Sequence, residues 1–210
     1  AITNESHPEI KFDVFERLNT NTAPLNAQEL RNCVYRGALN DLLHDAAEYK
    51  PWLSILGRGS TDKRMRDEEL VLRFFAFQIA GVGTYRTPLK VWLNEVAKAG
   101  RGYSEDRIHY LEALWTNSID VSLSLFHSSE CFRRGQSRAI NRALFDLVME
   151  SAVKIGNVQD AIAIRDDFRR RYAELLEDDE FLDLIGRAVD HTKRTKRRFE
   201  IWSEKFRGLY

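Results

Sequence analysis

The sequence predicts a mainly α-helical, multi-helix domain preceded by a short strand and a turn. Three observations predict it. Apolar residues recur at three- and four-residue spacing through most segments after residue 26, the signature of amphipathic helices. Ser, Asn, Asp, Gly and Pro punctuate those segments where helices start and stop. Glu9 to Leu18, by contrast, alternates through Ile10, Phe12 and Val14 until Phe15 interrupts it, which predicts a strand with one buried face. Strand content is expected to be very low.

The elements follow in order. Asn19 to Thr22 form a polar turn whose side chains can bond their own backbone, and Pro24 holds its predecessor extended. Asn26 is a candidate N-cap, with Glu29 placed to return a bond and with Leu25 and Leu30 at staple spacing. That helix is expected to run to about Arg36, with Gly37 as its stop. Leu39, Leu42, Leu43 and Ala46 mark a second helix, ended by Pro51, before a short apolar patch at Trp52 to Leu56.

A long helix is expected from Thr61, with early acids Asp62, Asp67, Glu68 and Glu69 favoured by the helix dipole. Leu70 to Ile79 is apolar nearly all round, so it should form the central core helix. Arg73, its lone interior charge, should snorkel or pair with a carboxylate. Gly81 and Gly83 should end that helix. Pro88 opens the next, with Leu89, Trp92, Leu93 and Val96 on one face. Ser104 caps another, striped by Ile108, Leu111, Trp115 and Ile119.

Phe132 to Ser137 reads as a basic, glycine-containing linker. Ile140 to Ile155 is helical, closed by Gly156, and Val158 to about Leu176 carries Ile162, Arg165, Phe168, Tyr172 and Leu175. Asp178 caps a short helix with Phe181, Leu184 and Ile185. The last helix starts near Thr192 and docks through Phe199, Trp202 and Phe206.

Composition excludes several function classes. The 210 residues carry 32 basic and 32 acidic side chains, so no global field drives nucleic-acid binding and any such site must be local. Cys33 and Cys131 have no metal-like spacing, which suits a reduced, cytoplasmic setting. Cys33 sits inside a helix, where burial is expected rather than reactivity. No apolar run approaches a membrane span. The five histidines show no paired ligand spacing, no G-x-S-x-G elbow occurs, and the two GRG turns are too short to cradle phosphate.

One window points to a family. Phe12 to Gly37 reads FERLNT, a short polar turn, PLNAQELRN, then YRG. It resembles the core signature of the GmrSD-type restriction and ParB/sulfiredoxin-like nuclease-domain family. RMRDEELVLRFFAF, PLKVWLNE and the FLDLIGRA…KRTKRRFE tail fit the same family, so the resemblance covers most of the chain. Asn21 stands where the family pattern leads one to expect glycine.

The resemblance implies that residues 1–37 are the end of a ParB-like α+β domain and 38–210 a helical domain. It implies nucleotide binding or hydrolysis coupled to DNA restriction or phage defence. The family's Asp-Gly-Gln-Gln-Arg motif, expected upstream of the strand, does not occur in this chain, which opens at Ala1. The chain is therefore expected to be the later part of a longer protein, without a complete catalytic site. The nucleotide, with Mg²⁺, is carried over to Glu16, Arg17, Asn19 and Thr20, where a strand meets a turn and a helix N-terminus. The same residues can equally serve only to shape the turn.

Lys193, Arg194, Lys196, Arg197 and Arg198 form the densest positive patch, expected on the outer side of the last helix and able to meet DNA phosphates. A solvated helix face is the ordinary meaning of such a run. The alternative function is a non-catalytic helical module for DNA binding or self-association.

Overall fold

The computed structural model describes Val14 and residues 24–135 and 137–210. Ten α-helices and one 3-10 turn occur among the described residues, with no strand. They are α1 (Ala27–Val34), α2 (Ala38–Ala47), α3 (Lys50–Leu56), α4 (Arg66–Thr84), α5 (Leu89–Ala99), the turn Gly100–Gly102, α6 (Glu105–Leu125), α7 (Arg142–Ile155), α8 (Val158–Leu175), α9 (Asp179–Gly186) and α10 (Thr192–Lys205). The expected strand and polar turn lie outside the described residues, except for Val14, which is helical.

The fold is built around α4. Val71, Leu72, Phe74, Phe75, Ala76 and Phe77 are buried round its full circumference, as a run apolar but for Arg73 requires. Helices α1, α2, α5, α7 and α10 pack on it, while α6 runs beside α2, α3, α7 and α8. Helices on both sides of residue 37 contribute to one core, with Leu30 and Tyr35 buried beside Leu39 and Leu72.

Aromatic side chains dominate that core. Trp52, Phe74, Phe132, Phe145 and Trp115 interlock at centroid separations of 5.0–6.4 Å. Phe168, Trp202, Phe206 and Tyr210 seat α10 against α8. Each such ring removes enough apolar surface from water to contribute roughly 1.5–3 kcal/mol. The indole of Trp115 also donates to the Ala46 carbonyl at 3.0 Å, so α6 cannot slide along α2 without losing a buried hydrogen bond.

The caps at Asn26, Ser104 and Asp178 form as expected, and Gly156 stops α7 in the left-handed region at φ 82°. Helical geometry breaks at Gly81 (φ 76°, ψ 156°), where the end of α4 was expected, before a last short turn to Thr84. Three expectations are corrected. The long helix starts at Arg66, not Thr61, because Asp62 Oδ1 accepts from the Arg64 N–H at 2.7 Å and holds a turn there. Pro51 does not close α2; it lies in the first turn of α3, where a missing N–H costs nothing, and so Trp52 and Ile55 reach the core from a helix. On α8, Ala161 faces inward and Ile162 is 53% exposed.

Two glycines allow close approach. A Cβ on Gly37, whose φ is +147°, would lie 2.4 Å from the Arg101 carbonyl oxygen. One on Gly100 would lie 2.3 Å from Leu39 Cδ2. The second GRG turn thus closes α5 onto the start of α2, a packing role.

Candidate functional site

Glu16, Arg17, Asn19 and Thr20 lie outside the described residues. The region that follows them is described, and three of the stretches quoted for the resemblance, PLNAQELRN, RMRDEELV and PLKVWLNE, meet there. Asn26 Oδ1 accepts from the N–H groups of Gln28 and Glu29 at 2.8 and 3.0 Å, while Glu29 Oε2 accepts from the Asn26 N–H at 2.6 Å. The Asn26 carboxamide also donates to the Arg64 carbonyl at 2.6 Å, tying the cap to the loop before α4.

One turn further, Arg31 is buried at the meeting of α1, α4 and α5. Its Nη1 donates to Gln28 and Glu69, both at 2.9 Å, and its Nε donates to Asn94 Oδ1 at 2.9 Å. Burial pulls this guanidinium below its ordinary value, and Glu69 opposes the pull.

The first turn of α4 completes the cluster. Burial pushes the Asp67 and Glu68 carboxyls up. Arg58 Nη1 meets both oxygens of Asp67 at 2.9 and 3.1 Å, and His44 Nδ1 lies 3.4 Å from Glu68. Burial also works to raise Asp62, but the Arg64 N–H together with Arg66 and Arg58 outweighs it and holds that carboxyl low. The arrangement fixes the entry of α1 on the bundle. It also places the His44 imidazole, 61% exposed, against the buried Glu68 carboxyl.

Of the basic tail, Arg198 does not lie on the outer side as expected. Arg198 is fully buried, because it shares the inward face with Thr195, Phe199 and Trp202. Arg197 pairs with Glu180 at 2.8 Å, Arg194 pairs with Asp183 at 2.7 Å, and Lys196 donates to the Gly83 carbonyl at 3.0 Å. Among the five, Lys193 stands exposed without a partner among the described residues.

Arg198 instead belongs to an ionic network under the centre of the fold. Asp146, on α7, accepts from Arg73 Nε at 2.6 Å and Nη2 at 2.7 Å, and from Arg198 Nη2 at 3.1 Å. Arg73 Nη1 reaches Asp190 at 2.8 Å, and the Tyr85 hydroxyl donates to the Asp190 carbonyl at 2.7 Å. Burial acts to lower the Arg73 pKa, and the two aspartates more than reverse it. Arg73 therefore pairs with a carboxylate, one of its two expected outcomes. Asp146, Asp190 and Tyr85 were not singled out in the sequence, although Asp146 interrupts an otherwise wholly apolar stretch from Ala143 to Met149.

Other expected features fall as follows. Cys33 is exposed, against expectation, because α1 turns Gln28, Leu30 and Arg31 inward instead. Cys131 is fully buried, and burial pushes its thiol up. Among the described residues no group of histidine, cysteine and carboxylate side chains is placed to hold a metal ion. No helix among them is long and apolar enough to cross a membrane. No protein-family model, no curated protein and no solved structure matches this chain.

Proposed function

We propose that this chain is the helical portion of a GmrSD-like, ParB-related protein of nucleotide-dependent DNA restriction or phage defence. In this reading the helices hold substrate or partner, and hydrolysis needs residues beyond the described ones. One observation supports it above the others: the residues that carry the resemblance are the ones that lock α1 into the bundle. Asn26 and Glu29 close the capping box, Leu30 and Tyr35 enter the core, Arg31 joins three helices, and Gly37 abuts Arg101. An NTP and Mg²⁺ held by Glu16, Arg17, Asn19 and Thr20 would then sit just before a rigid anchor in the chain. A cytoplasmic setting belongs to the same reading.

The test is titration of labelled NTPs with Mg²⁺ into this chain and into a form extended upstream by a segment carrying Asp-Gly-Gln-Gln-Arg. Binding by the extended form alone supports a split site. Binding by neither form overturns the nucleotide reading. A non-catalytic module that self-associates is the second reading, favoured by the exposure of Tyr110 (55%) and Ile162 (53%). Its mark is concentration-dependent association without nucleotide. Binding of DNA through the tail is the weaker form of that reading, since Arg198 is buried and Arg194, Lys196 and Arg197 already have partners at the surface.

A further inference from the structure

A cleft of about 690 Å³ opens between the C-terminal end of α3 and the loop that joins α6 to α7. At its base lies Arg133, only 8% exposed. Its Nε donates to the Arg138 carbonyl at 3.1 Å, Nη1 donates to the carbonyls of Ser128 and Cys131 at 3.0 Å each, and Nη2 donates to the Ile55 carbonyl at 2.5 Å. All four acceptors are neutral. No carboxylate pairs with Arg133 among the described residues. Arg31, Arg73 and Arg198, the other deeply buried arginines, each have a carboxylate within 3.1 Å. A buried charge without a countercharge is costly to hold. The four carbonyls orient this guanidinium and leave its charge uncancelled.

Apart from Ile55 and Leu56, the rest of the cleft is lined mainly by polar residues. Arg138 is exposed on its rim, and its side chain has no partner among the described residues. Ser54, Ser128 and Ser137 line the wall. Glu130 lines it too, but its carboxylate is taken up by Arg169 at 3.1 Å. The volume lies within the range of small-ligand sites.

We propose that this cleft binds a phosphate group, with Arg133 as the fixed buried charge and with Arg138 and the serine hydroxyls as donors to its oxygens. A tetrahedral dianion accepts from several directions at once and suits two guanidinium groups with hydroxyls between them. Inorganic phosphate and a small phosphate monoester share this chemistry. The inference does not depend on the function proposed above.

The test is calorimetric titration of the full chain at constant ionic strength with inorganic phosphate, ribose 5-phosphate and ribose. Saturable binding of a phosphate-bearing probe, with none of ribose, is expected. Tighter binding of the ester names a monoester as the ligand, and equal or tighter binding of inorganic phosphate names the free ion. Arg138→Ala, on an exposed side chain, should keep the wild-type circular dichroism spectrum and weaken binding about tenfold, the loss of one charge-assisted hydrogen bond. Arg138→Lys should restore part of it. Failure of both phosphate probes to bind, affinity unchanged in Arg138→Ala, or a single-stranded oligonucleotide preferred to the monoester would overturn the proposal. NTP binding by the upstream-extended form should survive Arg138→Ala, which separates this cleft from the nucleotide site.

Discussion

Replacing Asp146 with Asn keeps the shape of the side chain and removes its charge. Three charge-assisted hydrogen bonds converge on this carboxylate, from Arg73 at 2.6 and 2.7 Å and from Arg198 at 3.1 Å, and all three side chains are at most 2% exposed. After the change Arg73 keeps Asp190, which is 37% exposed. Arg198 keeps a bond to the Val189 carbonyl and no carboxylate. Breaking a buried pair costs 3–5 kcal/mol, and the surviving Asp190 contact argues for the middle of that range, about 4 kcal/mol. Urea denaturation reads this directly: with m near 2 kcal/mol per molar, the midpoint should fall by about 2 M with m unchanged. The melting temperature should fall by about 8–16 °C, given 2–4 °C per kcal/mol for a domain of this size. A loss below about 1 kcal/mol would refute the reasoning. So would a triple variant, Arg73→Met with Asp146→Leu and Arg198→Met, that proves less stable than Asp146→Asn, because removing the three buried charges should cost less than orphaning Arg198.

Three further outcomes are expected. Glu68→Gln should stabilise the protein at neutral pH: a carboxyl with a raised folded-state pKa is penalised above that value and not below its ordinary one, 4.5, so the gain over wild type should shrink and vanish as pH falls through 4.5. Denaturation midpoints from pH 4 to pH 7 check it, and a gain that grows toward acid would refute it. Gly37→Ala should cost about 2–4 kcal/mol from positive-φ strain and collision with Arg101, whereas Gly59→Ala, with open space around it, should stay within about 0.5 kcal/mol in the same melts. Asn26→Ala should lose about 1–2 kcal/mol, since the cap satisfies two N–H groups and also bonds Arg64, and Asn26→Asp should recover part of it.

The helices were legible where their ends carry chemistry. Ser104 and Asp178 show in sequence because a side-chain acceptor must meet the first free N–H groups, and Gly156 because the left-handed region is open to it. The central helix showed in its run of apolar residues. Arg198 was readable too. Thr195, Arg198, Phe199 and Trp202 follow the three- and four-residue spacing of one face, and a wheel drawn through the aromatics puts Arg198 inside. The run of charges hid it, since such runs usually face water. Asp146 shows the same thing in reverse, an acid set among residues that all face inward. Arg133 had no such signal. Its burial comes from a loop folding back on α3, and periodicity says nothing about loops. Ile162 was misplaced because both it and Ala161 fit a helical stripe, and neighbouring helices decide which one faces in. For the expected nucleotide residues, resemblance was the only guide, since a polar turn looks alike with or without a ligand.

The ionic network also sets a clock on biosynthesis. Arg73 and Asp190 are 117 residues apart, and Tyr85 finds its acceptor 105 residues later. At a synthesis rate of 5–20 residues per second, the central arginine waits on the order of ten seconds for its last partner to be made. Helices α1 to α8 can gather during that interval, with Arg73 paired to Asp146, but the network still lacks Asp190 and Arg198. The nascent domain is therefore at its most vulnerable to misassembly and to proteases just before α10 emerges, and arrival of that helix converts a loose assembly into a closed one.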